Sequence, residues 1–134
     1  MSNKPRGIRN NNPGNLRYNG TEWLGLATPP SDGAFCVFTA PKYGIRALAR
    51  VLKIYQSKYG ICTIAGIVGR FAPSTENDTG AYIKSLCHQT GYGAHSELDL
   101  HNNAVLAELI KAIIRHENGE NPYTDTQITE GLKC

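Results

Sequence analysis

Apolar residues recur at three- and four-residue steps from residue 43 onward and show no such rhythm before it. Ile45, Leu48, Leu52, Tyr55 and Tyr59 fall on one helical face, Arg46, Arg50 and Lys53 on the other, and Gly60 supplies a stop. A short helix follows. Thr63 suits its N-cap, Ile64, Ile67, Val68 and Phe71 form its stripe, and Ala72-Pro73 ends it. Residues 74–78 are polar and offer several caps for a third helix, which carries Tyr82, Ile83 and Leu86 and ends at Gly91. After a loop over 91–101, a fourth helix starts near Asn102 or Asn103, with Val105, Leu106, Leu109, Ile110, Ile113 and Ile114 on its apolar face. Residues 124–132 read as a last short helix.

The N-terminal part has a different grain. Residues 1–20 read as irregular: NNNPGN packs turn formers together, and Pro13-Gly14 suits the centre of a type II turn. AFCVFT at 34–39, preceded by the turn formers PPSDG, reads as a short strand, and 16–19 as another. A hairpin or three-stranded lobe over 15–40 results. The expected class is α+β, a single mainly helical domain over 1–134 with a small N-terminal β lobe. A chain of 134 residues can bury a core without disulfides or metal.

Composition narrows the chemistry. A net charge of +3 is compatible with attraction to an anionic polymer but is too weak to argue for nucleic-acid binding. The N-terminus lacks the apolar stretch of a signal peptide, and no run of apolar residues is long enough for membrane insertion. The four cysteines, Cys36, Cys62, Cys87 and Cys134, include no C-x-x-C pair, so reduced thiols are expected and structural zinc is not. His88, His95 and His101 do not cluster, and Ser74, Ser85 and Cys87 lie near no base motif.

Glu117 is the residue that breaks the pattern. It lies seven positions after Ile110, four after Ile113 and three after Ile114, so it continues a buried stripe. Glu108, with Lys111 and Arg115 after it, belongs to a solvated face. Partial burial and the negative end of the helix both favour the protonated carboxyl, and Asn118-Gly119 fits a helix stop that leaves the side chain at the rim of the core. Such a group suits general acid catalysis of glycosidic cleavage; a frayed-end residue bonded to a backbone amide is the plain alternative. His116 is expected to point elsewhere, as a surface or capping residue.

Other candidates carry two readings each. Glu22 and Asp32, near the β lobe, are possible second carboxylates or exposed loop acids; retaining chemistry needs a pair roughly 5 Å apart and inverting chemistry roughly 6.5–9.5 Å. Asn12 and Asn15 either bind sugar N-acetyl and hydroxyl groups or bond their own backbone. Trp23 is a sugar-stacking surface or a core residue. Glu76 and Asp78 suit helix capping.

The segments RGIRNNNPGNLRYNGTEWLGL, FCVFTAPKYGIRALARVL, RFAPSTENDTGAYIKSL and AIIRHENGENPY resemble a phage-associated family, found in virions and prophages, whose members are described as structural or lysozyme-like. A more distant likeness is to flagellar-type glucosaminidases and related lysozyme-fold enzymes. Their catalytic helix ends in a pattern like A-I-L-x-E-S-G, followed by N-x-F-G-I-K, a β lobe and a Y-A-T-D-P-x-Y-A block. AIIRHENG is similar to the catalytic helix, NPGNLR to the segment after it, and RFAPSTENDTGAYIKSL to the tyrosine block, with Tyr82 at its tyrosine. The catalytic helix comes last here, which implies a circular permutation of a lysozyme-like domain, and domain termini that lie close together make that feasible.

The resemblance implies a peptidoglycan hydrolase that cuts the β-1,4 bond between N-acetylmuramic acid and N-acetylglucosamine. It would act as a muramidase, lytic transglycosylase or glucosaminidase with Glu117 as general acid. Tyr82 would stabilise an intermediate or orient an N-acetyl group, and Glu76 would contact substrate. Asn12–Asn15 would sit near Glu117. No cofactor is implied. Expected partners are glycan strands and other virion proteins. The protein is expected to be made in the bacterial cytoplasm and to reach the wall on release, from a virion or through an injection machine. A non-enzymatic virion or tail component and an injected antibacterial effector are the competing expectations.

Overall fold

In the computed structural model, which describes residues 4–72 and 78–134, the chain runs α1 (Arg6–Arg9), β1 (Leu26–Ser31), β2 (Cys36–Phe38), α2 (Pro41–Tyr59), α3 (Ile64–Phe71), α4 (Thr79–Thr90), α5 (Asn103–Asn118) and α6 (Asp125–Lys133). Local chemistry explains the boundaries. Gly60, Gly91 and Gly119 end α2, α4 and α5 in the left-handed conformation, at φ 68°, 79° and 77°. Thr63 accepts from the Gly66 amide, Asp78 from Ala81, and Asn102 from Ala104 and Val105. Thr124 and Gln127 close a capping box on α6. Each such cap contributes about 1 kcal/mol.

The apolar faces meet around α5. Leu106, Leu109, Ile110, Ile113 and Ile114 are all buried there, and each contributes roughly 1.5–3 kcal/mol. The same cluster takes Ile45, Leu48 and Leu52 from α2, Ile64, Ile67 and Val68 from α3, Tyr82 and Leu86 from α4, and Ile128 from α6. Helix α6 packs on α2, and α4 on α5. The stripe of α2 leaves the core toward its C-terminal end, where Tyr55 is half-buried and Tyr59 is exposed. The fold is α+β, mostly helical with one small antiparallel sheet among the described residues. No described helix is long and apolar enough to cross a membrane.

In the β lobe, β1 pairs with β2, Leu26 opposite Phe38 and Ser31 opposite Cys36, with an irregularity between. Cys36 and Phe38 form a second buried cluster with Ala47 of α2, covered by Leu16, Trp23, Leu26 and Tyr43.

Three local expectations change. Residues 16–19 form no strand beyond the single bridge Arg17 to Phe35; the regular partner strand is 26–31, including the PPS expected as a turn. Proline lacks a donor, and an edge strand tolerates that. Helix α1, within the stretch expected to be irregular, has no side-chain cap and is too short to show a period. The Asn12–Asn15 turn exists, closed by the Asn15 amide on the Asn12 carbonyl at 2.9 Å, but it is not type II. Positive φ falls on Asn11 (52°) and Asn15 (49°) rather than on Gly14. Gly14 is small for a different reason: a Cβ there would stand 3.0 Å from the Leu48 side chain of α2.

Candidate functional site

The asparagine run stitches the N-terminal loop to the β lobe. Asn10 donates to Asp32 Oδ2 at 2.9 Å, and Asn11 donates to the Phe38 carbonyl at 3.0 Å. Asn12, fully buried, donates to the Leu16 and Cys36 carbonyls and accepts from the Leu16 amide, all at 3.0 Å. Its amide is wholly occupied by backbone, so Asn12 is a structural latch and not a group left facing substrate. Gly44 lets this loop lie against α2, because a methyl there would overlap the Asn11 carbonyl.

The loop is anchored to the end of α5 by the residue after the glutamate. Asn118, 8% exposed, donates to the Pro13 carbonyl at 2.8 Å and to Ile114 of its own helix at 2.9 Å. The oxygens Asn118 Oδ1 and Asn15 Oδ1 are buried with no hydrogen-bond donor, and both converge on the space beside the α carbon of Gly7. A Cβ at residue 7 would stand 2.5 Å from Asn118 Oδ1 and 2.8 Å from Asn15 Oδ1, which rules out a side chain there.

Glu117 stands where loop, α4 and α5 meet. Asn15 Nδ2 donates to Oε1 at 2.9 Å, and the Tyr82 hydroxyl donates to Oε2 at 2.7 Å. Asn15 and Glu117 are 102 positions apart in sequence. Asn15 achieves the contact in a left-handed conformation that asparagine tolerates better than most residues. Tyr82 is 2% exposed, and its ring stacks on His116 with centroids 3.8 Å apart and a 30° tilt. Burial, then the charge of Glu117, pushes the Tyr82 phenol far above its ordinary value. Tyr82 therefore serves Glu117 as a hydrogen-bond donor.

Two depressions share the carboxyl group. One is a polar groove of about 490 Å³ lined by Arg6, Asn15, Arg17, Phe35, Tyr55, Arg70 and Glu117, among others. The other, of about 260 Å³, is lined by Asp78, Ala81, Tyr82, His116 and Glu117. A group at their junction can pass a proton to a bond lying in either.

The structure thus brings Asn15, Tyr82 and Glu117 together. Trp23 is half-buried in the β-lobe cluster and lines neither depression. Glu22 is exposed and also outside both linings. Asp32 is absent from both: Arg6 Nε (2.6 Å) and Asn10 hold its Oδ2, while the Ala34 and Phe35 amides hold its Oδ1. These bonds, Arg6 first, hold its carboxyl well below the usual range, as befits a turn anchor. Glu76 lies outside the described residues. His116, expected to point away, faces the second depression; its place directly before Glu117 was the available hint. Asp78 is both a cap and part of that wall. The groove arginines had no sequence signal beyond net charge. Among the described residues no cluster of His, Cys, Asp or Glu could hold a metal, and the four cysteines are free thiols.

Tyr82 makes alkaline stability a test of this geometry. Below the ordinary value of 10.0 both folded and unfolded chains hold the proton, and its contribution is complete. Above it the unfolded chain releases a proton that the folded chain keeps, so stability falls with rising pH, by up to about 1.4 kcal/mol per unit for one phenol. Burial raises Tyr55 and Tyr123 in the same direction. Denaturant unfolding between pH 9 and 11 should show the decline, and Tyr82→Phe should make it shallower by one proton's worth. An unchanged slope would place the phenol in solvent.

No family model matches the chain. Over 131 residues it is 41% identical to Protein P5 of Pseudoalteromonas phage PM2, across 96% of this chain and 80% of that protein.

Proposed function

The chain belongs to the family of Protein P5 of Pseudoalteromonas phage PM2, and we propose that it is a phage peptidoglycan hydrolase with a circularly permuted lysozyme-like domain. The observation that carries the reading is one carboxyl group, Glu117, held by Asn15 and Tyr82 and lining a polar groove of about 490 Å³. The catalytic helix at the C-terminal end meets the NPGN loop at the N-terminal end, the juxtaposition that the permuted resemblance requires.

Glu117 gives its proton to the glycosidic oxygen as the bond from C1 to that oxygen breaks. Among the described residues Glu117 is the one carboxylate lining the groove, which favours routes that need no second one. In the first, the muramic 6-hydroxyl closes on C1 and returns its proton to Glu117, leaving a 1,6-anhydro end. In the second, the substrate N-acetyl group assists and water completes hydrolysis. Tyr82 and Asn15 hold the carboxyl in line, so they are positioning residues. The protein would reach the wall from a virion, on release, or through an injection machine.

Digestion of purified sacculi with product analysis by mass spectrometry tests this. Anhydro-muramic ends are expected for the internal route, reducing muramic ends for a muramidase, and reducing glucosamine ends for a glucosaminidase. Absence of soluble fragments overturns the enzyme and favours a virion or tail component that keeps the fold.

A further inference from the structure

The groove holds one acid among the described residues, but the smaller depression that shares Glu117 holds two. Asp78 and Glu117 both line that space of about 260 Å³, with Ala81, Tyr82 and His116, and no lysine or arginine stands among its described lining residues. The fold explains the meeting. Helix α4 packs on α5, which brings the start of the first to the end of the second. Asp78 lies four residues before Tyr82, so the two share a face of α4, and the Tyr82 hydroxyl donates to Glu117 Oε2 at 2.7 Å. As the N-cap of α4, Asp78 uses only one oxygen: Oδ1 accepts from the Ala81 amide at 3.0 Å. Its Oδ2 has no hydrogen-bond or ion-pair partner among the described residues. Asp78 is exposed, so water reaches that oxygen.

We propose that Asp78 is a second catalytic carboxylate, the base that activates water when the sugar to be cut sits in the smaller depression. This rests on the hydrolase reading above. The groove, with its single acid, serves routes in which a group of the substrate attacks; the smaller depression serves attack by water. Glu117 gives its proton to the glycosidic oxygen as the bond from C1 to that oxygen breaks. A water held by Asp78 Oδ2 forms the new bond to C1 from the opposite face and passes its proton to Asp78. The product carries the inverted, α configuration at C1. Asp78 then returns its proton to solvent and Glu117 takes one up, so both acids are restored. Such chemistry needs the two carboxyl groups roughly 6.5–9.5 Å apart, which leaves room for the water. A depression of about 260 Å³ has space for it beside a substrate group, since one water takes up about 30 Å³.

Asp78→Asn separates a base from a cap. Asparagine caps a helix about as well as aspartate, so the melting temperature and circular dichroism should stay native, but its amide cannot take a proton. Release of soluble fragments from sacculi should fall by about 10²–10⁴-fold. Sodium azide should restore part of the activity of Asp78→Ala and yield the α-glycosyl azide, because azide attacks C1 without a proton to give up. In early NMR spectra of a soluble glycan oligomer digested by the wild-type protein, the α anomer should appear first. Full activity of Asp78→Asn leaves the residue a cap alone and overturns the proposal. A β anomer first, or anhydro ends alone, from the wild-type protein overturns it as well. If the wild-type protein releases no fragments, the hydrolase reading fails and the base falls with it; if wild type and Asp78→Asn release them equally, only the base falls.

Discussion

Glu117→Gln is expected to lower the release of soluble fragments from peptidoglycan by about 10²–10⁴-fold while the far-UV circular dichroism and melting temperature stay close to native. Glutamine keeps the shape and can keep both contacts. Its oxygen accepts from Asn15 Nδ2, and its amide donates to the Tyr82 hydroxyl, which can rotate to accept. What it cannot do is supply a proton to a leaving oxygen. A variant that clears sacculi at the wild-type rate would remove Glu117 from the chemistry, whatever the groove binds.

The largest structural effect should come from Asn12. Alanine there removes two donors and an acceptor that serve the Leu16 and Cys36 backbone. The Leu16 carbonyl keeps its bond from the Cys36 amide, but the Leu16 amide and the Cys36 carbonyl lose the partner Asn12 gives them. Such groups cost about 1–3 kcal/mol each, so a total of about 2–5 kcal/mol is expected. Against a typical stability of about 5–15 kcal/mol, that lowers the melting temperature by roughly 10–20 °C. Activity should fall with it, because the same loop carries Asn15 to Glu117. Aspartate does not rescue, since a carboxylate can accept from Leu16 but would face two carbonyls with no proton to give. A melting temperature unchanged in Asn12→Ala would mean that the loop is not latched through this side chain.

These two residues show how unevenly the site could be read in advance. Glu117 was visible as an acid on an apolar stripe, because the phase of a helix is a local property that sequence spacing reports directly. Asn12 offered two readings, sugar contact or turn residue, and spacing could not choose between them. Its partner Leu16 lies nearby in sequence, but Cys36 lies 24 positions away, so only the folded lobe reveals that the amide is already occupied. His116 was misplaced for a related reason: the rotation from one residue to the next points it away from Glu117, but α4 brings Tyr82 up against its ring.

By itself the chain determined helices α2 to α6, their glycine stops, and the burial of α5. Those depend on interactions within a few residues: i to i−4 bonds, side-chain caps and apolar periodicity. Tertiary structure alone decided that Asn15 and Tyr82 share one carboxyl group and that the arginines of three separate segments line one groove. It also decided that two prolines sit in an edge strand. Such meetings are set by how separately formed elements pack, and no local pattern records the distance between residues 15 and 117.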